Sequence, residues 1–324
     1  MADTSPPGAS LGGDYRIVGG RLHNPEGCEL NVVLHCNLRC RACSHLSPVL
    51  PPWFADPAQI ARDLVGLAGS YSCGHVKILG GEPLLHPRLP EVIAAVRDSG
   101  ITDRVAVCTN GRLLSSRDPW LWRLVDEIEI SVYPGQAPTP VELDALRRRA
   151  EEHAVRLDVK LVPVFRESYA EQGSEDPHLT ARIYRTCEIV HVWRCHTVHE
   201  GVFYRCPQSY FLHRPEAPGA RVPSDGLPIR SDPGFLVDLH AYLTSSRGPA
   251  ACRWCLGTVG RRRPHSQLPR AGWRAAQDAP SEELVDLRLL AEREQTQVAS
   301  RYEKRVLGSG DYAPSEWLRR RPTS

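Results

Sequence analysis

Short apolar runs alternate along residues 30–162 with stretches whose apolar positions recur at helical spacing. The apolar runs predict buried strands at 30–35, 76–79, 105–108, 128–132 and 157–162. The stretches between them predict helices at 57–68, 89–97, 119–125 and 140–153. Asp56 and Pro57 form an N-cap and first-turn pair that marks the start of the first helix. This alternation predicts an α/β fold in which parallel strands are joined by right-handed crossovers.

Segments rich in cysteine, glycine and polar residues lie where the predicted strands end. In chain order they are Cys36–Cys43, Gly80–Pro83, Asn110 and, inside the fourth strand, Ser131. The carboxyl ends of parallel strands meet at one edge of a sheet, and ligands bind at that edge. We therefore expect these segments to share one ligand site.

The loop after the first strand carries three closely spaced cysteines, Cys36, Cys40 and Cys43. Thiolates this close on a loop suit an iron–sulfur cluster, and the absence of an obvious fourth ligand nearby leaves one iron open to a small ligand. Two other interpretations fit the same spacing. One is a zinc knuckle that also uses His35 or His45, and the other is three unrelated buried thiols.

The segment after the second strand is the turn Gly80-Gly81-Glu82-Pro83. Glycines permit a close approach of the backbone to a ligand and a positive φ, and proline then fixes the turn. The sequence therefore predicts a rigid turn whose backbone can approach a ligand.

A C-x3-C-x2-C motif after a first strand, followed at this distance by Gly-Gly-Glu-Pro, resembles the radical S-adenosylmethionine (SAM) superfamily over roughly residues 30–165. The resemblance implies a partial (β/α)6 barrel with a 4Fe-4S cluster on Cys36, Cys40 and Cys43. It also implies that SAM chelates the open iron and is cleaved to a 5′-deoxyadenosyl radical, which abstracts a hydrogen atom from the substrate. The cofactor-binding residues implied for SAM are Gly80, Gly81, Glu82, Pro83, Asn110 and Ser131. Glu82 either contacts SAM or caps the turn, and Asn110 and Ser131 are alternatively ordinary turn residues.

The second half of the chain carries a further group of cysteines. Gly201–Cys206 reads as a hairpin strand that delivers a cysteine, and Cys252 and Cys255 form a close pair. This arrangement resembles the SPASM/twitch extension of radical SAM enzymes, and the resemblance implies an auxiliary 4Fe-4S cluster. Its predicted ligands are Cys187, Cys206, Cys252 and Cys255. A four-cysteine zinc site is the alternative, because spacing does not separate zinc from iron–sulfur.

Cys195 is left over from that set of four. It either replaces Cys187 as a ligand, packs inertly in the core, or donates a hydrogen atom to a substrate radical, which would make it catalytic. The spare cysteines Cys28, Cys73 and Cys108 read as buried thiols.

The spacing of the later cysteines resembles that of twitch-bearing enzymes that tailor aminoglycosides, such as 2-deoxy-scyllo-inosamine dehydrogenase and the apramycin-type radical diol dehydratase. The resemblance implies hydrogen abstraction from a carbinol carbon of an aminoglycoside, aminocyclitol or related sugar. The outcome would be dehydration, deoxygenation or dehydrogenation in antibiotic biosynthesis. Alternatives are an epimerase of the same substrates and a maturase of a ribosomal peptide or protein. A carboxylate would bind a cationic substrate, and the candidates for this role are Glu129 and Glu188.

Charge and composition exclude little but set the context. Lys plus Arg is 40 and Asp plus Glu is 38, so the charge balance gives no sign of nucleic-acid binding. The sequence contains no run of about 18 apolar residues, so it predicts no membrane span. The first residues lack the basic and then apolar pattern of a signal peptide. The 11 cysteines then favour metal ligation in a reducing cytoplasm over disulfides. Arg261–Arg263 is a phosphate-binding cluster or, more simply, a solvated face.

The expected organisation is a flexible leader at 1–28, the barrel core at 29–165, a twitch-like region at 166–260 and a helical tail at 261–324. Within these regions, residues 207–233 read as a long loop and 281–305 as a helix. The expected partners are the small sugar or aminocyclitol substrate and an electron donor such as flavodoxin or ferredoxin, with a partner reductase as a further option.

Overall fold

The computed structural model describes residues 15–114, 119–212 and 225–295. Its strands in chain order are β1 (Arg16–Val18), β2 (Arg21–Val33), β3 (Tyr71–Gly80), β4 (Val105–Thr109), β5 (Glu127–Val132), β6 (Arg156–Leu161), β7 (Val164–Arg166), β8 (His196–His199), β9 (Val202–Tyr204), β10 (Gly226–Pro228) and β11 (Arg262–Pro264). The main sheet has the order β10-β9-β8-β2-β3-β4-β5-β6, with β1 on β2, while β7 and β11 form a separate pair.

Along the part of the sheet with the order β8-β2-β3-β4-β5-β6 each strand is parallel to the next, which confirms the predicted α/β class with a parallel sheet. The sixth parallel strand, β8, pairs with β2 through Cys28↔His196 and Glu29↔Thr197. The chain therefore crosses from β6 at one edge to the far side of β2. Strands β8 and β9 form the hairpin predicted before Cys206.

The helices are α1 (Pro57–Ala68), α2 (Leu89–Asp98), α3 (Trp120–Leu124), α4 (Pro140–Glu152), α5 (Pro177–Arg185), α6 (Glu188–His191), α7 (Pro207–Phe211), α8 (Phe235–Thr244), α9 (Arg270–Ala275), α10 (Ser281–Leu284) and α11 (Leu287–Gln295). The first four match the predicted helices. Asp56 caps α1 by accepting a hydrogen bond from the Ala58 amide, as predicted, and Thr139 and Glu142 form a capping box on α4. None of the described helices is long and apolar enough to cross a membrane.

The two faces of the sheet differ in character because side chains alternate along each strand. One face contributes Leu30, Ile78 and Ile128 to the main hydrophobic core, which α1, α2, α3 and α8 cover. The other face carries Glu29, Lys77 and other polar residues. The functional segments at the strand ends adjoin this polar face.

Several predicted boundaries are wrong. Residues 16–28, predicted as part of a leader, form β1 and the first half of β2, whereas residues 1–14 lie outside the described part of the chain. The predicted loop at 207–233 contains α7 and β10, and its residues 213–224 are also outside that part. The predicted helix at 281–305 is two short helices, α10 and α11, up to Gln295, beyond which the prediction is not tested.

Candidate metal centres and the cavity between them

The first three cysteines lie on the loop between β2 and α1, and we call residues 34–46 the cluster loop. Successive tight turns shape it, with Cys43 N donating to Cys40 O (3.3 Å) and Leu46 N to Cys43 O (3.1 Å). Ala42 and Leu46 have φ values of 57° and 53°, in the left-handed region. A loop curled in this way brings three thiols into one neighbourhood.

The thiols of the cluster loop raise one another's pKa. Burial raises the pKa of Cys36 and of Cys40 to about 12, and the charge of Cys43 adds to the rise for both. Mutual repulsion of this kind is what a bound cationic centre relieves, because thiolate is the ligating form. The donor set therefore fits a metal centre.

The Gly-Gly-Glu-Pro turn packs directly on the start of the cluster loop. Gly81 N donates to Val33 O at 2.6 Å, and a Cβ on Gly81 would lie 1.9 Å from His35 O. Gly80 has a φ of 138°, which favours glycine. Within this structure the glycines are thus required by contact with the loop backbone.

Glu82 has a buried carboxylate that links two segments. It is 0% exposed and accepts hydrogen bonds from Leu84 N (3.0 Å), from the Thr109 hydroxyl (2.7 Å) and from Asn110 N (2.9 Å). Glu82 therefore caps the turn and ties it to the end of β4, which is one of its two predicted roles.

Asn110 reaches the cluster loop from the end of β4. Its side-chain amide donates to the Asn37 carbonyl oxygen at 2.7 Å and lies 3.7 Å from the Cys36 sulfur. Ser131 is half-buried near the end of β5, on the same polar face as Glu129. Their contacts with SAM, like those of the turn from Gly80 to Pro83, stay predictions.

A segment near the C-terminal end of the described chain holds the cluster loop in place, and we call residues 265–273 the clamp segment. Arg41 N donates to Ser266 O (2.8 Å) and the Trp273 indole donates to Cys40 O (2.9 Å). His265 Nε2 lies 3.2 Å from the Cys40 sulfur. Sequence reasoning placed this segment in a tail, because a contact across more than two hundred residues leaves no local pattern.

The arginine cluster at 261–263 is only partly the solvated face that the sequence favours. Arg263 Nε pairs with Glu167 at 3.0 Å, and Arg41 of the cluster loop pairs with the same carboxylate at 3.4 Å. Glu167 is 0% exposed, so these contacts compensate a buried charge. Arg262 faces the cavity described below.

The four later cysteines come together from three separate segments. Cys187 precedes α6, Cys206 precedes α7, and Cys252 and Cys255 flank a short turn; we call them the cysteine quartet. After burial, the charges of Cys255, Cys206 and Cys187 raise the pKa of Cys252. The quartet predicted from the sequence is therefore a single neighbourhood of thiols.

Cys195 belongs elsewhere. Its thiol is hydrogen-bonded to the carboxylate of Glu29 on β2, and both residues face the cavity. The structure thus groups Cys187 with Cys206. Cys28 and Cys73 are buried as expected, while the Cys108 thiol is half-buried and donates to Glu129 at 3.5 Å.

A cavity of about 610 Å³ lies between the cluster loop and the quartet. The cluster loop contributes Ala42, Ser44 and His45 to its wall, and the chain neighbours of the quartet contribute Glu188, Ile189, Pro207, Gln208, Gly257 and Thr258. Glu29, Cys195, Trp193 and the segment 161–168 complete much of the remaining lining. Both candidate metal centres therefore adjoin one space.

Four polar atoms in the cavity wall are buried without a hydrogen-bond partner among the described residues: His45 Nε2, Trp193 Nε1, Gln208 Oε1 and Glu188 Oε1, of which the last lies in an ion pair with Arg293. Burial lowers the pKa of His45 to about 4, so its ring is neutral near pH 7. Buried polar groups are normally paired. A polar ligand in the cavity would supply the missing partners.

Of the two carboxylates considered for a cationic substrate, only Glu188 lines the cavity. It is 3% exposed and pairs with Arg293 at 2.5 Å. Glu129 instead pairs with Lys77 (3.1 Å) and Lys160 (2.7 Å) on the polar face of the sheet. Burial alone would raise the pKa of Glu129, but the two lysines lower it to about 2. Glu129 therefore lies outside the cavity wall, in ion pairs with two lysines.

The parallel sheet, the cluster loop and the Gly-Gly-Glu-Pro turn define an α/β protein with a thiolate site at the strand ends. Residues 30–156 match the sequence model of the radical SAM superfamily.

Curated relatives of this chain include GTP 3′,8-cyclase 1 of Mycobacterium tuberculosis, which is 36% identical over 97 residues, or 28% of this chain and 26% of that protein. The mitochondrial GTP 3′,8-cyclase of Arabidopsis thaliana is 28% identical over 136 residues, or 40% of this chain and 33% of that protein. The chain thus spans about a quarter to a third of the length of these relatives.

Among solved structures, the crystal structure of BtrN in complex with AdoMet and 2-DOIA has a TM-score of 0.45 and 17% sequence identity. It covers 72% of this chain and 94% of that one. Streptococcus suis SuiB bound to S-adenosylmethionine has a TM-score of 0.30 and 15% identity, covering 44% of this chain and 41% of that one.

Proposed function

We propose that this protein is a radical SAM enzyme that binds an aminoglycoside, aminocyclitol or related sugar in the cavity of about 610 Å³. Hydrogen abstraction from a carbinol carbon would lead to dehydration, deoxygenation or dehydrogenation in antibiotic biosynthesis. The observation that carries the proposal is the position of this cavity between the cluster loop and the quartet.

The residues on and beside the cluster loop fit a 4Fe-4S cluster with bound SAM. Cys36, Cys40 and Cys43 would hold a 4Fe-4S cluster, and the turn at 80–83 with Asn110 and Ser131 would border SAM. When bound, these groups supply a 5′-deoxyadenosyl radical that removes a hydrogen atom from the substrate. The clamp segment and Asn110 fix the cluster loop, and an electron donor such as flavodoxin or ferredoxin would complete the system.

The quartet would hold an auxiliary 4Fe-4S cluster. Four thiols from three segments supply the number and kind of ligands that such a cluster needs. A four-cysteine zinc site would use the same ligands, and iron and sulfide content separates the two.

The size of the cavity and the unpaired polar atoms in its wall support this substrate class. A volume of this order suits a small molecule. His45, Trp193 and Gln208 offer unpaired donors and acceptors, which hydroxyl groups can match. Ile189 and Phe165 add apolar surface that excludes water from the reacting carbon.

An epimerase of the same substrates is the second candidate function. Cys195 lines the cavity, and its thiol is hydrogen-bonded to Glu29. A thiol in that wall is positioned to return a hydrogen atom to a substrate radical. Full turnover by a Cys195→Ala variant would exclude this role.

The test is anaerobic turnover of the reconstituted protein with SAM, dithionite and scyllo-inosamine carrying deuterium at its carbinol carbons. We expect substrate-dependent 5′-deoxyadenosine that contains deuterium, absent from Cys36→Ala and present in the matched control Cys28→Ala. Deuterium-free 5′-deoxyadenosine whatever the sugar, or stimulation by GTP in place of the sugar, would contradict the proposal. GTP belongs in the test because the curated relatives are named as GTP cyclases.

A further inference from the structure

Glu29 is a carboxylate in the cavity wall that no sequence pattern marks as functional. It lies on β2, between Lys77 of β3 and Thr197 of β8, and it faces the cavity together with Cys195. Within the described chain, no lysine, arginine or histidine lies within 4.0 Å of its carboxylate. Its carboxylate is therefore shielded and forms no ion pair at that distance, although Lys77 acts on it from farther away.

The nearest cation is already matched by another carboxylate. Lys77 Nζ lies 3.1 Å from Glu129, which also pairs with Lys160. Burial raises the pKa of Glu29 to about 7, with Lys77 and the Cys195 hydrogen bond opposing the rise and Glu129 adding to it. A cation that enters the cavity would stabilise the ionised carboxylate of Glu29, because it would offset the free-energy cost of a shielded negative charge.

The other acidic groups near the cavity are already compensated. Glu188 is paired with Arg293, and Glu167 lies between Arg41 and Arg263. Both differ from Glu29, whose side chain is hydrogen-bonded to the neutral thiol of Cys195. Of these three carboxylates, Glu29 is therefore the one that a cationic ligand would stabilise most.

We propose that Glu29 is the anionic anchor for an amino group of the substrate. The inference rests on the proposed function and deepens it, because it makes the substrate an amino sugar or aminocyclitol in preference to a neutral sugar. The ammonium group would pair with Glu29, while the ring hydroxyls would meet His45 and Gln208 at the unpaired polar atoms of the wall.

The experiment is calorimetric binding of two probes to the reconstituted protein with SAM and without reductant. The probes are scyllo-inosamine and scyllo-inositol, which differ by one amino group in place of a hydroxyl. We expect the wild type to bind the amine at least about tenfold more tightly, a typical gain for a shielded charge pair. Glu29→Gln should lose this preference with little change for scyllo-inositol. Glu127→Gln, on the same sheet face but not in the cavity wall, should keep it.

Three results would overturn the anchor: no amine preference in the wild type, an unchanged preference in Glu29→Gln, or no binding of either probe. The first two leave the proposed sugar chemistry standing, whereas the third removes the substrate class as well. If Glu29→Gln does not load iron, Glu29→Asp replaces it. This variant keeps the charge but shortens its reach, so its amine preference should fall at least about threefold, and an unchanged preference would again contradict the anchor.

Discussion

Single buried polar residues decide how the site is held together. Glu82 was predicted to contact SAM or cap the turn, and its carboxylate accepts hydrogen bonds from Leu84, Thr109 and Asn110. These bonds join the Gly-Gly-Glu-Pro turn to the strand that positions Asn110 beside Cys36. A charged acceptor buried among three donors is difficult to replace.

Glu82→Gln keeps the side-chain volume but replaces one acceptor oxygen with an amide NH2 group, which is a hydrogen-bond donor. We expect this variant to lose about 2 kcal/mol of unfolding free energy, the usual range for hydrogen bonds to a buried charge. Urea unfolding of the cluster-free protein measures the loss. Glu91→Gln, at an exposed helix position, is the matched control and should change stability by less than about 0.5 kcal/mol. Equal stabilities of the two variants would contradict the bracing role of Glu82.

His196 makes the stability dependent on pH. Its ring is 0% exposed, between the hydroxyls of Tyr71 (2.8 Å) and Tyr15 (2.9 Å), and burial lowers its pKa to about 3. The unfolded state binds a proton below about pH 6.5 while the folded state does not, so stability falls as the pH drops below that value.

Between pH 7 and pH 5 the contribution of His196 should cost about 2 kcal/mol of unfolding free energy. Urea unfolding of the cluster-free protein at both pH values measures it. The pH-dependent loss should shrink by about that amount in His196→Gln and stay at the wild-type value in His240→Gln, where the histidine is exposed. The same pH dependence in both variants would mean that His196 titrates in the folded state.

At the scale of elements, the cluster loop is held from two sides. The Gly-Gly-Glu-Pro turn packs on its first residues, and the clamp segment packs on its middle through Ser266, Leu268 and Trp273. A loop with no regular secondary structure thereby acquires a fixed shape. This preorganisation matters because three thiols must bind the same metal centre.

Gly81→Ala tests the first of these contacts. A Cβ there would lie 1.9 Å from His35 O, so the turn or the cluster loop must move. We expect iron bound by the cluster loop to fall by more than half, measured as iron per chain in a variant that also carries alanines at the quartet. Gly272→Ala is the control, because nothing lies within 4 Å of its added Cβ. Equal iron loading in both would contradict the need for glycine at 81.

The sequence predicts local elements well because periodicity and capping act over a few residues. The helix from Pro57 to Ala68 and the strand from Glu127 to Val132 match their predicted positions within one residue. Three long-range features were missed: the pairing of β8 with β2, the clamp segment, and Glu29 in the cavity wall. Each depends on contacts between distant parts of the chain. Glu29 also sits in an ordinary strand pattern, where nothing marks a charged residue as functional.

At the scale of the whole molecule, the two thiol groups and the cavity form one arrangement. The cluster loop lies in the region that matches the radical SAM superfamily, and the quartet comes from the segments around α6, α7 and the Cys252 turn. The cavity wall includes chain neighbours of both. The central claim is therefore that the protein holds two iron–sulfur clusters on either side of a substrate cavity.

Iron and sulfide per chain after anaerobic reconstitution test this claim most directly. We expect about eight irons in the wild type, about four in the Cys36/Cys40/Cys43→Ala variant and about four in the Cys187/Cys206/Cys252/Cys255→Ala variant. About four irons in the wild type that fall to none in the first variant, with zinc bound in both, would contradict it. The quartet would then be a zinc site, and only the cluster held by the cluster loop would stand.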